Sequence, residues 1–559
     1  MSDIKSDYKW KKKHYTSYSP HELMPGNGID IKIPWELSRF HHLVTIAQAW
    51  DLTNNKKYSN EFFSQWSNWQ DSNPFCYGIN WTNTMEVAIR AVNLIACLGL
   101  LKDDVGYDKN YKSIIKSIRK HGLYIENNLE IGINNGKISA ANHYLANICG
   151  LTIIGMTCQG LPESNRWVKT GMKALEKEIK RMVLDDGFFF ESSTSYHRLA
   201  TELFLYPLII GQKTGFQFSN YYLQTLEKML DIILFLTTPG GTIPQIGDND
   251  DGRLLILSGY PDWDRHDHRY LLGLGAVIFD RGDYKIACGE CPEEVFWLYG
   301  GKGVKKFNNI IPDKSPIESR AFADAGLYVI RNDKAKDYVL IRTISSHPNP
   351  PTAHNHNDTL SIELWINGEP VFIDPGTYCY TSDIDKRNFL RSSNSHNSAV
   401  INEAEINNLS KYPFESEWKT KFKCIEWSIS SNLISFAGEH NSYSSRFQCI
   451  IQRTVSYDST NLLLHIKDQI INDDKLDHTM SINWVLHPDQ KIKFNELKNT
   501  WINQKNLEIK IVGMDSVSSI INSYSPKYGV VTKTKSLKCR SKVKSNKIST
   551  FNTLISKYR

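Results

Sequence analysis

The spacing of apolar side chains changes character about halfway along this chain. Between Asn165 and Val183, the residues Trp167, Met172, Leu175, Ile179 and Met182 recur at intervals of three to five. That interval sets them on one stripe of an amphipathic helix. Similar runs predict helices from Pro34 to Trp50, Thr84 to Leu101, Tyr111 to Asn127 and Tyr221 to Phe235. Long helices joined by short polar turns imply helices packed pairwise. From about Ser319 the period falls to two, and Gly326 to Arg331, Tyr338 to Arg342, Leu360 to Ile366, Leu433 to Phe436 and Leu462 to Ile466 read as strands. Many strands without intervening helices predict an antiparallel β-sandwich. The change falls between Lys302 and Glu318. The expected division is therefore a helical domain over 1–310 and a β-sandwich domain over 311–559.

Composition agrees with two domains, because 559 residues and 64.2 kDa exceed one ordinary core. With 41% hydrophobic and 23% charged residues, the chain has the make-up of a soluble globular protein. Its richest apolar run, Val92 to Leu101, is too short to span a bilayer. The start, Met1 to Lys13, is polar and lacks the apolar stretch of a leader, which predicts a cytoplasmic location. A periplasmic or secreted location would require a leader outside this numbering. Ten scattered cysteines do not require an oxidising compartment, and Cys288-Gly-Glu-Cys291, the only close pair, is expected to be ordinary thiols. Net charge is a modest +6. Its distribution is uneven: after Asp515 no acidic residue occurs, while Lys527, Lys533, Lys535, Lys538, Arg540, Lys542, Lys544, Lys547, Lys557 and Arg559 follow. An acidic polymer would feel that patch; equally, such lysines keep exposed strand edges soluble. No nucleic-acid recognition motif accompanies the charge.

The densest chemistry lies in Ala353-His354-Asn355-His356-Asn357-Asp358 and the run that follows it. Extended backbone would turn His354 and His356 to one face. Asn367-Gly368 is a two-residue hairpin signal that would return Asp374 beside them. Phe389-Leu-Arg391-Ser-Ser-Asn-Ser-His396-Asn397-Ser then offers a third imidazole. His356, Asp374 and His396 form a candidate structural metal site; zinc, which accepts nitrogen and carboxylate oxygen, is the expected ion, with calcium the alternative.

This order of motifs, His-x-His, Asp-Pro-Gly-Thr-Tyr, Arg and His-Asn-Ser, resembles the C-terminal signature of heparinase II/III-like polysaccharide lyases. It departs at Asn355, where a glycine is common, and at Ser398-Ala399, which replaces a Thr-Val pair. The resemblance covers nearly the whole chain and implies an incomplete (α/α) toroid followed by a β-sandwich. It also implies roles for two helical segments that say little alone: Asn142-His143, where Asn142 could simply cap a helix, and Tyr196-His197-Arg198. Asn142, helped by His143, would bind a uronate carboxylate, while Tyr196 and His354 would move protons. Arg39, Trp81, Arg90, His197 and Asp248 are candidate substrate contacts, although core packing or helix ion pairs are the favoured account of Arg39, Trp81 and Arg90. The run Gly247 to Arg253, which contains Asp248, lacks the ligand spacing of an EF-hand and is read as a turn near the cleft.

These groups suit β-elimination of an acidic polysaccharide. Loss of the C5 proton places a second negative charge on an ionised acid, so donors at the carboxylate must stabilise it. His354 is the expected base. Tyr196 is chiefly the acid, assisted by positive charge from His197 or Arg198, with the two roles exchangeable according to C5 configuration. Two alternatives remain: a glycoside hydrolase using Glu191 with Asp248 or Asp250, and a non-catalytic polysaccharide-binding or surface-polysaccharide assembly protein.

Overall fold

The computed structural model describes residues 3–557 except 105–106, 135–136, 346–351, 411–413 and 415–417. Met1 and Arg559 lie outside the described residues. Helices dominate up to Asn309 and antiparallel strands follow from Arg320. The helical part has the architecture of an incomplete (α/α) toroid. Among the described residues, no helix is long and apolar enough to cross a membrane.

The amphipathic runs fold as their spacing predicts. Helix Ser164–Met182 buries Trp167, Leu175, Ile179 and Met182, with Met172 at the edge of the stripe. Helix Thr84–Leu100 is capped by Asn83, whose side chain accepts from the Glu86 amide, and Asn220–Leu236 is capped by Ser219. The expected Pro34 to Trp50 helix is instead two, Lys32–Leu37 and His41–Thr53. Phe40 between them sits at φ 70°, a left-handed conformation that a continuous helix does not allow. The break turns the first short helix away, so that Lys32, Trp35 and Arg39 all reach the wall of a cleft.

In the C-terminal half, an eight-stranded sheet, a four-stranded sheet and a five-stranded sheet enclose the second apolar core. Strands Cys449–Asp458 and Leu463–Asn472 alternate buried and half-buried positions along their whole length, the pattern of sheet with one face in a core. Asn367 and Gly368, at φ 56° and 80°, make the expected tight turn between strands Ile362–Ile366 and Glu369–Phe372. The basic C-terminal residues fall largely on two strands of the four-stranded sheet, Ser516–Lys527 and Val530–Val543, the first of them an edge strand.

The two halves are joined by polar contacts. The Asp248 amide donates to the His354 carbonyl at 2.9 Å and the Asn249 amide to Thr377 Oγ1 at 2.8 Å. Tyr528, on the turn between the two basic strands, donates its hydroxyl to Asp30 at 2.7 Å.

Candidate active site

A cleft of about 320 Å³ is lined by Asn142, His143, Glu191, Tyr196 and Asp250 from the helical half and by His354, Tyr380 and Tyr528 from the sandwich. The four residues expected to act in catalysis therefore share one cavity. They reach it by local structure that differs in places from expectation.

Asn142 is not the cap of its helix. Helix Asn142–Thr157 has Ala141 at its N-cap, without a side-chain cap. The Asn142 backbone and side-chain nitrogens instead donate to the two oxygens of Glu191 at 2.9 and 2.8 Å. This clamp fixes the amide, leaving Oδ1 buried without a partner. His143 follows on the cleft side with 45% of its side chain exposed, and its Nδ1 lies 3.0 Å from Glu130. Partial desolvation in the cleft opposes a charge there, but Glu130 outweighs it and raises the imidazolium to about 9. A fixed amide and a cation thus stand side by side.

Ser193 caps helix Thr194–Thr214 by accepting from the Tyr196 amide, which sets the tyrosine in the first turn. Its hydroxyl donates to Asp250 Oδ2 at 3.2 Å and lies 2.8 Å from the Tyr380 hydroxyl. Burial, reinforced by the charge of Asp250, pushes the phenol well above its ordinary value. The expected assistance from its neighbours does not arise. His197 turns into the core, accepting from the Phe189 amide and donating to the Met229 carbonyl, and Arg198 donates to the carbonyls of Arg265 and Gly252. The tyrosine is therefore protonated at neutral pH, the state the acid role requires, although burial and Asp250 make it a weak acid.

His354 ends the one-turn helix Thr352–His354, and the strand begins only at Ile362, so strand alternation does not pair it with His356. Asp248 pairs them. His354 Nδ1 donates to Asp248 Oδ2 at 3.0 Å, and His356 Nε2 donates to Oδ1 at 3.2 Å. Arg387 adds two bonds at 2.7 and 2.8 Å. Burial would raise Asp248, but Arg387 and the two imidazoles hold it well below the usual carboxylate range. An ionised carboxylate only accepts, so Nδ1 of His354 carries the hydrogen and Nε2 is left as a base. That Nε2 lies 4.0 Å from Glu191 at the cleft. Asp248 itself is fully buried and outside the cleft wall, which replaces the expected substrate contact with a positioning role.

Behind His354, the side chains of His356, Asp374 and His396 offer ligand atoms within 4.8 Å of one another, all buried. The outer nitrogens of both imidazoles are used as donors, His356 Nε2 to Asp248 and His396 Nδ1 to the Ser392 carbonyl at 2.7 Å. Their inner nitrogens face Asp374 at 4.0 and 3.1 Å, His396 as a close ion pair, while His356 Nδ1 makes no hydrogen bond. Two inward ring nitrogens, each with the far nitrogen of its ring fixed, and a carboxylate fit a divalent cation. Burial disfavours a charge on His396, but Asp374 outweighs it and raises the ring to about 9, so a cation must displace that proton.

Other expected contacts are not in the cleft. Trp81 packs in the helical core against His121 and Tyr124, and fully buried Arg90 donates to His121 Nε2 and the Asn80 carbonyl beneath the Trp69 and Trp81 rings. Arg39 does line the cleft, but Glu86 holds it through two bonds of 2.7 Å and Glu36 adds a third contact at 2.6 Å. For the hydrolytic alternative, Asp248 is sealed away, while Asp250 is engaged by Tyr196 and Lys32 and Glu191 by Asn142. Burial would raise Asp250, yet Lys32 and Arg39 lower it to about 2. The Cys288 and Cys291 thiols are pushed up by burial, Cys288 to about 12, so neither is an activated thiolate. Sequence reasoning overlooked Lys32 and Tyr380. Tyr380 lies two positions beyond the Asp374-Pro-Gly-Thr-Tyr378 run, and nothing local distinguishes the tyrosine that faces the cleft.

Comparison with known proteins agrees with this architecture. A family model described as heparinase II/III N-terminus matches residues 3–264, and one described as heparinase II/III-like, C-terminal, matches 314–551. A heparin-sulfate lyase of Pedobacter heparinus is 22% identical over 506 residues, covering 88% of this chain and 68% of that protein. A heparin-sulfate lyase of Bacteroides stercoris is 23% identical over 443 residues, 74% of this chain and 59% of that protein. Among solved structures, a heparan sulfate lyase from Pedobacter heparinus superposes with a TM-score of 0.63 at 20% identity, covering 94% of this chain and 77% of that one. A heparinase III structure does so with 0.72 at 16% identity, covering 97% and 78%.

Proposed function

This chain belongs to the heparinase II/III-like family, and we propose that it cleaves a uronic-acid-containing polysaccharide of the glycosaminoglycan class by β-elimination. It is a polysaccharide lyase. The observation that carries the reading is the meeting of a clamped amide, an imidazolium, a protonated tyrosine and an oriented imidazole base in one cleft.

The uronate carboxylate sits against Asn142 and His143. His143 carries the positive charge that the second negative charge of the enolate requires, and the Glu191 clamp keeps the Asn142 amide from reorganising as that charge develops. His354 Nε2 takes the C5 proton. The C5 electron pair forms the C4–C5 double bond, the C4–O bond breaks, and the leaving oxygen receives the Tyr196 proton. Stacking of the Tyr196 and His354 rings, with centroids 3.8 Å apart, keeps acid and base on the same side of the cleft. His356, Asp374 and His396 would hold a divalent ion, zinc by its donor set, whose charge would anchor the segments that carry His354 and Tyr380.

The test is incubation with a panel of uronate polymers while following the ultraviolet absorbance of the unsaturated uronate. Absorbance should rise with the wild type, and Tyr196→Phe should lower kcat by about a hundredfold or more. Chain cleavage that gives only saturated ends would refute the elimination, and unchanged polymer length with tight binding would favour a binding protein.

A further inference from the structure

The Tyr196 hydroxyl has one proton, and the structure shows where it goes. Asp250, held to about 2, is ionised across the neutral range and can only accept. Tyr196 therefore spends its hydrogen on Asp250 Oδ2, and the 2.8 Å contact between the two tyrosine hydroxyls must run the other way, with Tyr380 donating to Tyr196 Oη. No other hydroxyl or amide donates to that oxygen among the described residues. We propose that Tyr380 is a further catalytic residue, a hydrogen-bond donor that stabilises the phenolate left on Tyr196 when its proton passes to the departing sugar. This rests on the lyase reading above.

The need for such a donor follows from the surroundings. A phenolate at Tyr196 would form in a buried place beside the negative charge of Asp250, and both conditions oppose it. Lys32, at 3.6 Å from Asp250, offsets part of that charge but makes no bond to the phenol. Tyr380 supplies a donor already in place, so nothing has to reorganise as the charge forms. It is well held: its ring packs edge-on against Phe414 and Tyr528, the Arg387 guanidinium lies 5.0 Å above it, and its backbone amide donates to the Tyr528 hydroxyl at 3.0 Å. The proton stays on Tyr380 throughout. The single transfer is from Tyr196 Oη to the leaving oxygen, which takes the electron pair of the broken C4–O bond.

Dependence on the leaving group distinguishes this role from mere packing. A sugar alkoxide needs a proton as it departs, whereas fluoride at C4 of a uronide departs without one. In Tyr380→Phe, kcat on the polymer should fall about ten- to a hundredfold while KM moves less than about twofold, as for loss of one hydrogen bond to a charged group. Elimination of fluoride should fall by less than about threefold, because acid catalysis is not needed there. Tyr196→Phe should show the same selectivity more strongly, and adding Tyr380→Phe to it should cost little more, since the two act as a unit. Equal losses on both substrates, additive losses in the double variant, or an unchanged polymer rate would each overturn the role of Tyr380. A wild type that releases no unsaturated product from any uronate polymer would instead undo the lyase reading itself.

Discussion

Three residues donate to one buried carboxylate at Asp248, and this explains how two imidazoles separated by one residue come to do different work. The Asp248 oxygens fix His354 with Nε2 toward the cleft and His356 with Nδ1 toward Asp374 and His396. Asp248→Asn keeps the shape but can present an N–H to one ring and reverse its tautomer. It should lower kcat by about a hundredfold or more with a smaller change in KM, measured as initial rates on protein shown by circular dichroism to be folded. A rise in KM alone would return Asp248 to substrate binding. His143 predicts a pH dependence. Its proton is held up to about 9 against an ordinary 6.5. The imidazolium is therefore present through neutral pH and lost above about 9, and kcat/KM should fall on that alkaline limb. Stability carries the same sign, with the contribution of this group complete below 6.5 and lost as the pH rises through about 9. Glu130→Gln removes the dominant attraction and should bring the alkaline limb down toward the ordinary value, read from the rate profile. A limb that stays in place would assign it to another group.

At the scale of elements, what could be read from sequence followed how evenly each element is exposed. Ser164–Met182 has one wet face, and its stripe was plain. Helix Thr194–Thr214, buried over nearly its whole length, and Asn142–Thr157, buried on most sides, have no polar face to make a stripe, so periodicity did not reveal the helices that bear Asn142 and Tyr196. Family motifs identified those residues instead. The hairpin at Asn367-Gly368 was legible because both turn positions need positive φ, while the strand reading extended too far back toward His354: Leu360, at φ 64°, interrupts it. The segments bearing His356, Asp374 and His396 are short loops and turns around the strands, and under the proposed metal reading an ion among them would fix their mutual geometry. Replacing His396 with Ala should reduce bound metal, measured by elemental analysis, with affinity falling about a hundredfold or more, and should lower the melting temperature. Metal content and melting temperature both equal to wild type would contradict a structural ion at this site.

Across the whole molecule, the cleft is assembled from segments distant in sequence. Tyr528 reaches back to Asp30, the Asp248 turn sits against the His354 carbonyl, and Tyr380 meets Tyr196. Such pairings depend on how helices and sandwich pack together, and no local pattern encodes them; this is why Lys32 and Tyr380 escaped notice while the motif-bearing residues did not. Trp81 and Arg90 erred the other way, because residues that look fit for sugar and charge are equally fit for a core cation–π contact, and burial decides between the uses. The charge of the cleft follows the same logic: Lys32, Arg39 and His143 each already face a carboxylate, so polymer binding should draw on Asn142 and His143 at the reacting sugar more than on a general positive field. The most direct measurement of the central claim is mass analysis of the products of a uronate polymer cut in heavy-oxygen water. Elimination through His354 and Tyr196 predicts new non-reducing ends lighter by one water than hydrolytic ones, with no heavy oxygen introduced by the cut. Saturated products carrying one heavy oxygen per cut would contradict it.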